Sequence, residues 1–139
     1  MKGDRIPDQD HIARLCKPQT VADGQIQASA FKVKAVEESL SVNWLEFLNC
    51  SSREQEITEL RKILARKLEV KSSAKIAVLN VGTVCKKVLT GSPDRRLIKA
   101  LHDPELEDPS HSGIYDLKED DELIAELILE SVNESYPAK

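Results

Sequence analysis

The sequence predicts a small α+β domain, and three observations lead to that prediction. The chain has 139 residues, 40% of them hydrophobic, which is enough for one packed core and too little for two ordinary domains. One segment carries apolar residues at helical spacing behind a capping signal, and another is a β-branched run without polar alternation. We therefore expect a single compact domain over residues 1–139, in which two main helices pack on a small mixed or antiparallel sheet of about three to five strands. An irregular lead-in at 1–29 and a frayed tail at 135–139 complete the prediction.

The first elements are the least regular. The lead-in contains two prolines and a turn-like Asp-Gly pair, with at most a short helix around His11 to Cys16. Residues 30–36 alternate apolar and lysine side chains, which predicts a half-buried strand. Residues 40–48 begin with strand alternation and end at the spacing of a buried helical turn, so we expect them in the core.

Two segments in the middle of the chain carry the clearest signals. Ser51 stands three residues before Glu54, the pattern of a capping box, and apolar residues then recur every three or four positions. These features predict a helix over about 52–69. The run KIAVLNV at 75–81 predicts a central strand that is buried on both faces.

The C-terminal half predicts two further strands, a loop and a closing helix. Residues 83–89 and 96–101 fit strands on either side of a turn at 91–94, with a helix as the alternative for the second. Residues 102–117 hold two prolines and five acids, which indicates an ordered surface loop. An acidic first turn then leads into an apolar stripe, which predicts a helix over about 119–133.

Charge is divided unevenly along the chain. The net charge of −4 hides a block at 61–99 with 11 cations against two acids, and a block at 100–139 with 12 acids against two cations. We favour a match between these blocks within the fold; a charged partner interface and a nucleic-acid surface are the alternatives. All five aromatic residues lie outside the basic block, so no base-stacking platform is interleaved with the charge. The candidate binding residues are Arg61, Lys62, Arg66, Lys67, Arg95, Arg96 and Trp44.

Three histidines with acidic neighbours are the candidate catalytic groups. Asp10 precedes His11, Asp103 follows His102, and His111 lies in the same proline-rich segment as His102. Imidazoles brought together with carboxylates could act as an acid–base pair or hold a metal, whereas exposed loop histidines beside solubilising acids are the plainer interpretation. Because HExxH and Cys-x-x-Cys spacings are missing from the sequence, we assign no metal ligands and expect no cofactor.

The composition suggests a compartment. The N-terminus lacks the apolar run of a secretory signal, and no later stretch approaches about eighteen consecutive apolar residues. Three cysteines without a Cys-x-x-Cys pair fit reduced thiols better than a disulfide framework. We therefore expect a cytoplasmic protein that does not enter a membrane.

Four strings, DHIARLC, ESLSVNWLEF, KIAVLNVG and HDPELEDPSHSGIY, together resemble a family of short, uncharacterised bacterial proteins. The resemblance covers roughly residues 4–130. It implies a bacterial cytoplasmic origin and a single domain, and it brings no activity or cofactor. It directs attention to Asp10 to Cys16, to Asn43 and Trp44, and to His102 to Ile114, because core packing alone does not require polar residues there.

Three functions are open at this level. The leading hypothesis is a small cytoplasmic interaction or accessory module that binds a protein partner or associates with itself, because no recognised catalytic constellation is present. The alternative is a hydrolase-type enzyme in which the histidines and their acids converge, with or without a divalent metal. A second alternative is nucleic-acid binding through residues 61–99.

Overall fold

The molecule is built on a six-stranded antiparallel sheet with helices on both faces. The computed structural model describes residues 2–119 and 121–139. Its strands are β1 (His11–Cys16), β2 (Val21–Ala22), β3 (Gln25–Ile26), β4 (Ser39–Trp44), β5 (Lys75–Asn80), β6 (Lys99–His102), β7 (His111–Tyr115) and β8 (Val132–Pro137). Its helices are α1 (Arg53–Lys67), α2 (Val81–Gly91) and α3 (Glu122–Glu130), with short 3-10 turns at Pro18–Thr20, Ala28–Phe31 and Glu46–Leu48.

The order of the sheet is β6-β7-β4-β1-β5-β8, and β2 and β3 form a separate small hairpin. Strand β1 therefore lies in the interior of the sheet. It pairs with β5 along its whole length, but it pairs with β4 only through Ile12 opposite Trp44 and Ala13 opposite Asn43. Beyond Ala13 the two strands are no longer paired, and a cleft opens between them.

Each face of the sheet has its own apolar core. In β5, Ile76 and Val78 face the core that includes α1, whereas Ala77 and Leu79 face the core that includes α2 and α3. The alternation follows from the two-residue period of a strand, and a strand buried on both sides needs apolar residues at every position. The predictions of an α+β fold and of a central strand at 75–81 are confirmed. The sheet has more strands than the three to five expected.

Helix α1 confirms the predicted helix at 52–69, but its cap lies one residue later than expected. The Ser52 hydroxyl accepts a hydrogen bond from the Gln55 amide at 3.2 Å, and the Gln55 side chain accepts one from the Ser51 amide at 2.9 Å. The helix start therefore resembles a capping box, with Gln55 in the place expected for Glu54, but the Gln55 side chain accepts from the residue before the N-cap.

The predictions for both ends of the chain are wrong. Residues 11–16 lie within the predicted irregular lead-in, yet they form β1, because β4 and β5 supply hydrogen-bonding partners that the local sequence does not reveal. The tail predicted to fray at 135–139 contributes to β8, and Ala138 is only 2% exposed. Pairing of β8 with β5 fixes this segment.

Two of the predicted strands are not formed: the first segment is largely irregular and the second is helical. Residues 30–36 contain the end of a 3-10 turn and then irregular backbone, although Phe31 and Val33 are buried. Residues 83–89 lie in α2, whose first turn is capped by the Asn80 side chain accepting from the Thr83 amide at 2.9 Å. The expected hairpin turn at 91–94 is therefore the end of a helix.

The last third is also more regular than expected. Part of the 96–101 segment forms β6, as the strand alternative predicted, and the 102–117 loop contains β7. Helix α3 is shorter than the predicted 119–133, because the Asp121 side chain caps its start and the chain turns into β8 after Ser131. Asp120, part of the predicted acidic first turn, lies outside the described residues, as does Met1. Within the described chain, every helix is too short or too polar to cross a bilayer.

Candidate functional site

The cleft between β1 and β4 is held open by an arginine side chain. Where the two strands stop pairing, Arg14 Nε donates to the Ala30 carbonyl at 3.0 Å and Nη1 donates to the Ser41 carbonyl at 2.9 Å. The guanidinium thus satisfies one carbonyl of β4 and one carbonyl of the 3-10 turn at Ala28–Phe31. The resulting cavity has a volume of about 310 Å³, and the C-terminal end of α1 contributes to its wall.

Cations outnumber acids around this cavity. It is lined by Arg14, Lys17, Lys32, Lys34 and Lys67, against Glu37 and Glu105. Lys67 contacts Glu105 at 2.8 Å, and Lys32 contacts Glu122 at 2.8 Å. Within the described residues, the Arg14 guanidinium and the ammonium groups of Lys17 and Lys34 have no carboxylate within 4.0 Å. Glu37 accepts from the Lys34 backbone amide at 2.8 Å. The cleft therefore carries positive charge that the fold itself does not neutralise by direct contact.

Arg14 is the most unusual of these cations. Its side chain is partly withdrawn from water, and this burial lowers the pKa of its guanidinium, an effect that the charge on nearby Glu37 opposes. Taking a cation out of water without a contacting anion costs free energy. An anionic ligand in the cleft would reduce that cost.

A row of polar side chains covers the neighbouring part of the sheet. Cross-strand pairing places Asn43 opposite His111 and Ser41 opposite Gly113, on the face that also carries α1. His111 is 8% exposed. Its Nδ1 lies 2.9 Å from the Asp103 carbonyl and its Nε2 lies 3.3 Å from Ser41 Oγ. Because a carbonyl only accepts, Nδ1 carries the proton and Nε2 of the neutral ring can accept from the serine hydroxyl.

A buried carboxylate fixes the loop that follows β6. Asp108 is fully buried and accepts from Asn43 Nδ2 at 2.8 Å, from Ser110 Oγ at 2.9 Å and from Lys67 Nζ at 3.0 Å. Burial alone would raise the pKa of Asp108, but the hydrogen bonds from these three groups outweigh it and the pKa is lowered. The ionised form of Asp108 thus ties the 103–110 loop to β4 and α1.

The three histidines do not converge, so the convergence that the hydrolase alternative requires is not found. Strand alternation puts His111 on the α1 face and His102 on the opposite face, where its Nε2 contacts the Pro109 carbonyl at 2.7 Å and its ring lies edge-on to Trp44. His11 contacts Glu46 at 2.7 Å. No three metal-ligating side chains come together in the described part of the chain.

The acids predicted to accompany the histidines are also separated. Asp10 accepts from the Trp44 indole at 2.9 Å, which gives both residues a structural partner. Asp103 stays beside His111 and not beside His102, with its Oδ2 at 3.9 Å from His111 Nδ1. Of the predicted catalytic set, only His111 and Asp103 therefore reach the cleft region together.

The basic segment 61–99 is divided by the sheet. Arg61, Lys62, Arg66 and Lys67 lie on α1, and Arg95 and Arg96 follow α2 on the other face. Lys62 pairs with Glu59 at 3.2 Å, while Arg96 pairs with Asp94 at 2.6 Å. Of the predicted binding residues, only Lys67 lines the cleft.

The two charge blocks meet within the fold, as we favoured. Ion pairs join them through four cations, each of which contacts an acid of the 100–139 block: Lys67 to Glu105 and Asp108, Lys87 to Glu130, Lys99 to Asp116, and Arg96 to Asp121. Both the acidic loop and α3 contribute partners. Much of the charge asymmetry is thereby matched internally, and the unmatched cations of the cleft come mainly from residues before the basic block.

Comparison with known proteins gives no match, whether to a family model, to a curated protein or to a solved structure. The function is therefore inferred from the cleft.

Sequence reasoning missed Arg14 and Ser41 as site residues. Arg14 interrupts the apolar string IARLC. Because charged residues are rarely buried without a partner, a charge within an otherwise apolar strand could have indicated a functional residue. Ser41 carries no comparable signal, because its importance depends on His111, 70 positions away.

Proposed function

We propose that this protein is a small interaction module that binds an acidic segment of a partner protein in the cleft between β1 and β4. The observation that carries the proposal is the group of three cations, Arg14, Lys17 and Lys34, that line the cleft and whose charged groups form no ion pair with a carboxylate of the described residues. Carboxylates of a partner would pair with them and offset the partial dehydration of Arg14.

The rim of the cleft favours a peptide over a nucleic acid. Val36 is 94% exposed and adjoins Glu37, and Leu106 is 98% exposed and adjoins Glu105, both of which line the cavity. Leu68, 43% exposed, lines it directly. Exposed apolar side chains beside cations suit a segment that mixes acidic and apolar residues. Single-stranded nucleic acids need aromatic stacking surfaces, and none of the described Phe, Tyr or Trp side chains lines this cavity.

The proposed setting is the cytoplasm of a bacterium. The resemblance of the four sequence strings supports the bacterial part of this proposal. Three cysteines without a disulfide, Cys16, Cys50 and Cys85, support a reducing compartment.

The test is peptide binding measured by fluorescence anisotropy. A labelled peptide of alternating glutamate and leucine serves as probe, with the matched lysine and leucine peptide as the opposite-charge control. Wild type should bind the acidic peptide only, with affinity that falls as salt rises. The exposed double variant Lys17→Glu with Lys34→Glu should weaken binding about tenfold or more, the equivalent of about 1.4 kcal/mol. Lys86→Glu, on the exposed side of α2, is the matched control and should bind as wild type.

The proposal fails if wild type does not bind the acidic peptide, or if the double variant binds as tightly as Lys86→Glu. A single-stranded oligonucleotide that binds wild type more tightly than the peptide would replace the proposal with nucleic-acid binding. Analytical sedimentation of wild type and of the double variant tests self-association. If wild type is a dimer and the double variant is a monomer, the cleft is occupied by a second copy of this chain.

A further inference from the structure

The cleft also contains a serine and a histidine in the arrangement of a nucleophile and its base, which docking of a peptide does not require. Ser41 is exposed and lines the cavity, and its Oγ lies 3.3 Å from Nε2 of His111. Catalytic hydrogen bonds in unliganded sites are commonly this long and tighten when substrate binds.

The surroundings of His111 suit a base that accepts a proton and later returns it. The Asp103 carbonyl at 2.9 Å keeps the proton on Nδ1, so the lone pair of Nε2 is directed toward the serine. Two carboxylates, from Asp103 and Glu105, each have an oxygen 3.9 Å from Nδ1. Their negative charges stabilise the imidazolium that forms when the ring takes up a second proton.

A cationic donor stands beside the serine. Arg14 Nη1 lies 2.9 Å from the carbonyl oxygen of Ser41 itself, so the guanidinium is at the reacting residue without touching its hydroxyl. Nε and Nη1 are occupied by the Ala30 and Ser41 carbonyls, so the guanidinium holds the backbone of the reacting residue and adds positive charge to the cavity. Nucleophile and base therefore line one cavity, and two carboxylates lie beside the base, which are features expected of a covalent hydrolase.

We propose that Ser41 and His111 form an acyl-transfer centre that hydrolyses carboxylic esters bearing an anionic group. The free cations Lys17 and Lys34 on the same cavity favour a substrate with a carboxylate or phosphate at some distance from the ester. Ser41 is the nucleophile and His111 the general base, while Asp103 is a positioning residue.

The reaction balances without a cofactor. Ser41 Oγ bonds to the ester carbonyl carbon as its proton passes to His111 Nε2. The bond from that carbon to the alcohol oxygen then breaks, and the alcohol leaves with the proton from the imidazolium. Water then attacks the carbonyl carbon of the acyl-serine while His111 takes a proton from the water. The resulting tetrahedral intermediate breaks its bond to Ser41 Oγ, which receives that proton from His111, and the carboxylic acid is released.

The experiment combines covalent labelling with turnover of two esters. A fluorophosphonate probe should label wild type at Ser41, as located by peptide mass spectrometry. The monoanionic p-nitrophenyl ester of succinic acid should be hydrolysed faster than neutral p-nitrophenyl acetate. Ser41→Ala should abolish both labelling and turnover, whereas Ser29→Ala, an exposed serine on the same cavity, should leave both unchanged.

Further variants separate catalysis from folding. Ser41→Cys should retain covalent acylation at position 41, because a thiol replaces the hydroxyl on an exposed site. His111→Gln should lower kcat/KM about 10²- to 10⁴-fold. Asp103→Asn should lower kcat per active site, with the sites counted by stoichiometric fluorophosphonate labelling. Unfolded molecules are not labelled, so a mere loss of structure would leave this corrected kcat unchanged.

The proposal is overturned if the probe does not modify Ser41, or if Ser41→Ala turns over the succinate ester at the wild-type rate. Its failure is distinguishable from failure of the peptide proposal. Ser41→Ala keeps every cation of the cleft and should bind the glutamate–leucine peptide as wild type does. Labelling at Ser41 without binding of the glutamate–leucine peptide would support the esterase proposal and refute the peptide-binding proposal.

Discussion

Removal of the Asp108 carboxylate is expected to destabilise the protein strongly. Asp108→Ala deprives three donors of their acceptor: the Asn43 amide, the Ser110 hydroxyl and the Lys67 ammonium. Asn43 and Ser110 are 6% and 1% exposed, so water cannot readily replace the carboxylate. Each buried donor that loses its acceptor costs about 1–3 kcal/mol, and Lys67 keeps only the more exposed Glu105 as an anionic partner. We expect a loss of about 3–4 kcal/mol, a large part of the roughly 5–15 kcal/mol that stabilises an ordinary domain.

Glu105→Ala is the matched control, because it removes another carboxylate from the same ammonium group. The Glu105 side chain is 48% exposed and contacts Lys67 Nζ at 2.8 Å. An exposed pair of this kind contributes about 1 kcal/mol or less. Urea unfolding followed by circular dichroism measures both variants. Equal losses for Asp108→Ala and Glu105→Ala, or a loss below about 1 kcal/mol for Asp108→Ala, would refute the reasoning from burial.

The same carboxylate has a signature in the pH dependence of stability. The pKa of Asp108 is lower in the folded protein than in the unfolded chain. The ionised carboxylate therefore contributes its full share to the free energy of unfolding above the unfolded pKa of about 3.9, and this share is lost as the pH falls through the pKa of the folded protein. The free energy of unfolding of wild type should therefore decline more steeply below about pH 4 than that of Asp108→Asn.

Two further predictions concern packing and thiol chemistry. A Cβ at Gly113 would lie 2.6 Å from Ser39 Oγ, so Gly113→Ala should lower the free energy of unfolding by about 1–3 kcal/mol. Adding Ser39→Ala removes that oxygen, so the double variant should recover part of the lost free energy. Cys16 is fully buried, and burial raises its pKa to about 11. Iodoacetamide at pH 8 should therefore modify the partly exposed Cys50 in the native protein and should modify Cys16 only after denaturant is added. Equal labelling of the two cysteines in the native protein would show that the core around β1 is open to solvent.

Local signals predicted the elements whose stability is largely local. The helix at 52–69 has a cap and a helical apolar period within its own residues, and α1 follows both. The run at 75–81 is apolar throughout, so any fold that contains it must bury both its faces. The match between the charge blocks was also accessible, because folded elements of opposite charge attract wherever they can meet.

Elements defined by their neighbours could not be recognised in this way. Residues 11–16 form β1 only because β4 and β5 pair with them, and 83–89 become helical because Asn80 caps a turn whose β-branched residues also suit a strand. The sequence also does not show how Arg14 is accommodated within β1, because the carbonyls that it contacts belong to residues 16 and 27 positions later.

By itself, the sequence determined that this chain forms a small α+β domain with α1 and β5 at its core, and that its charges lie in opposed blocks. Only the tertiary structure decided which polar residues meet. It separated the three histidines between the faces of one sheet, kept His111 with Asp103, and brought both to Ser41 beside Arg14. The physical reason is that a strand sends alternate side chains to opposite faces, so the register between distant strands decides which groups share a site.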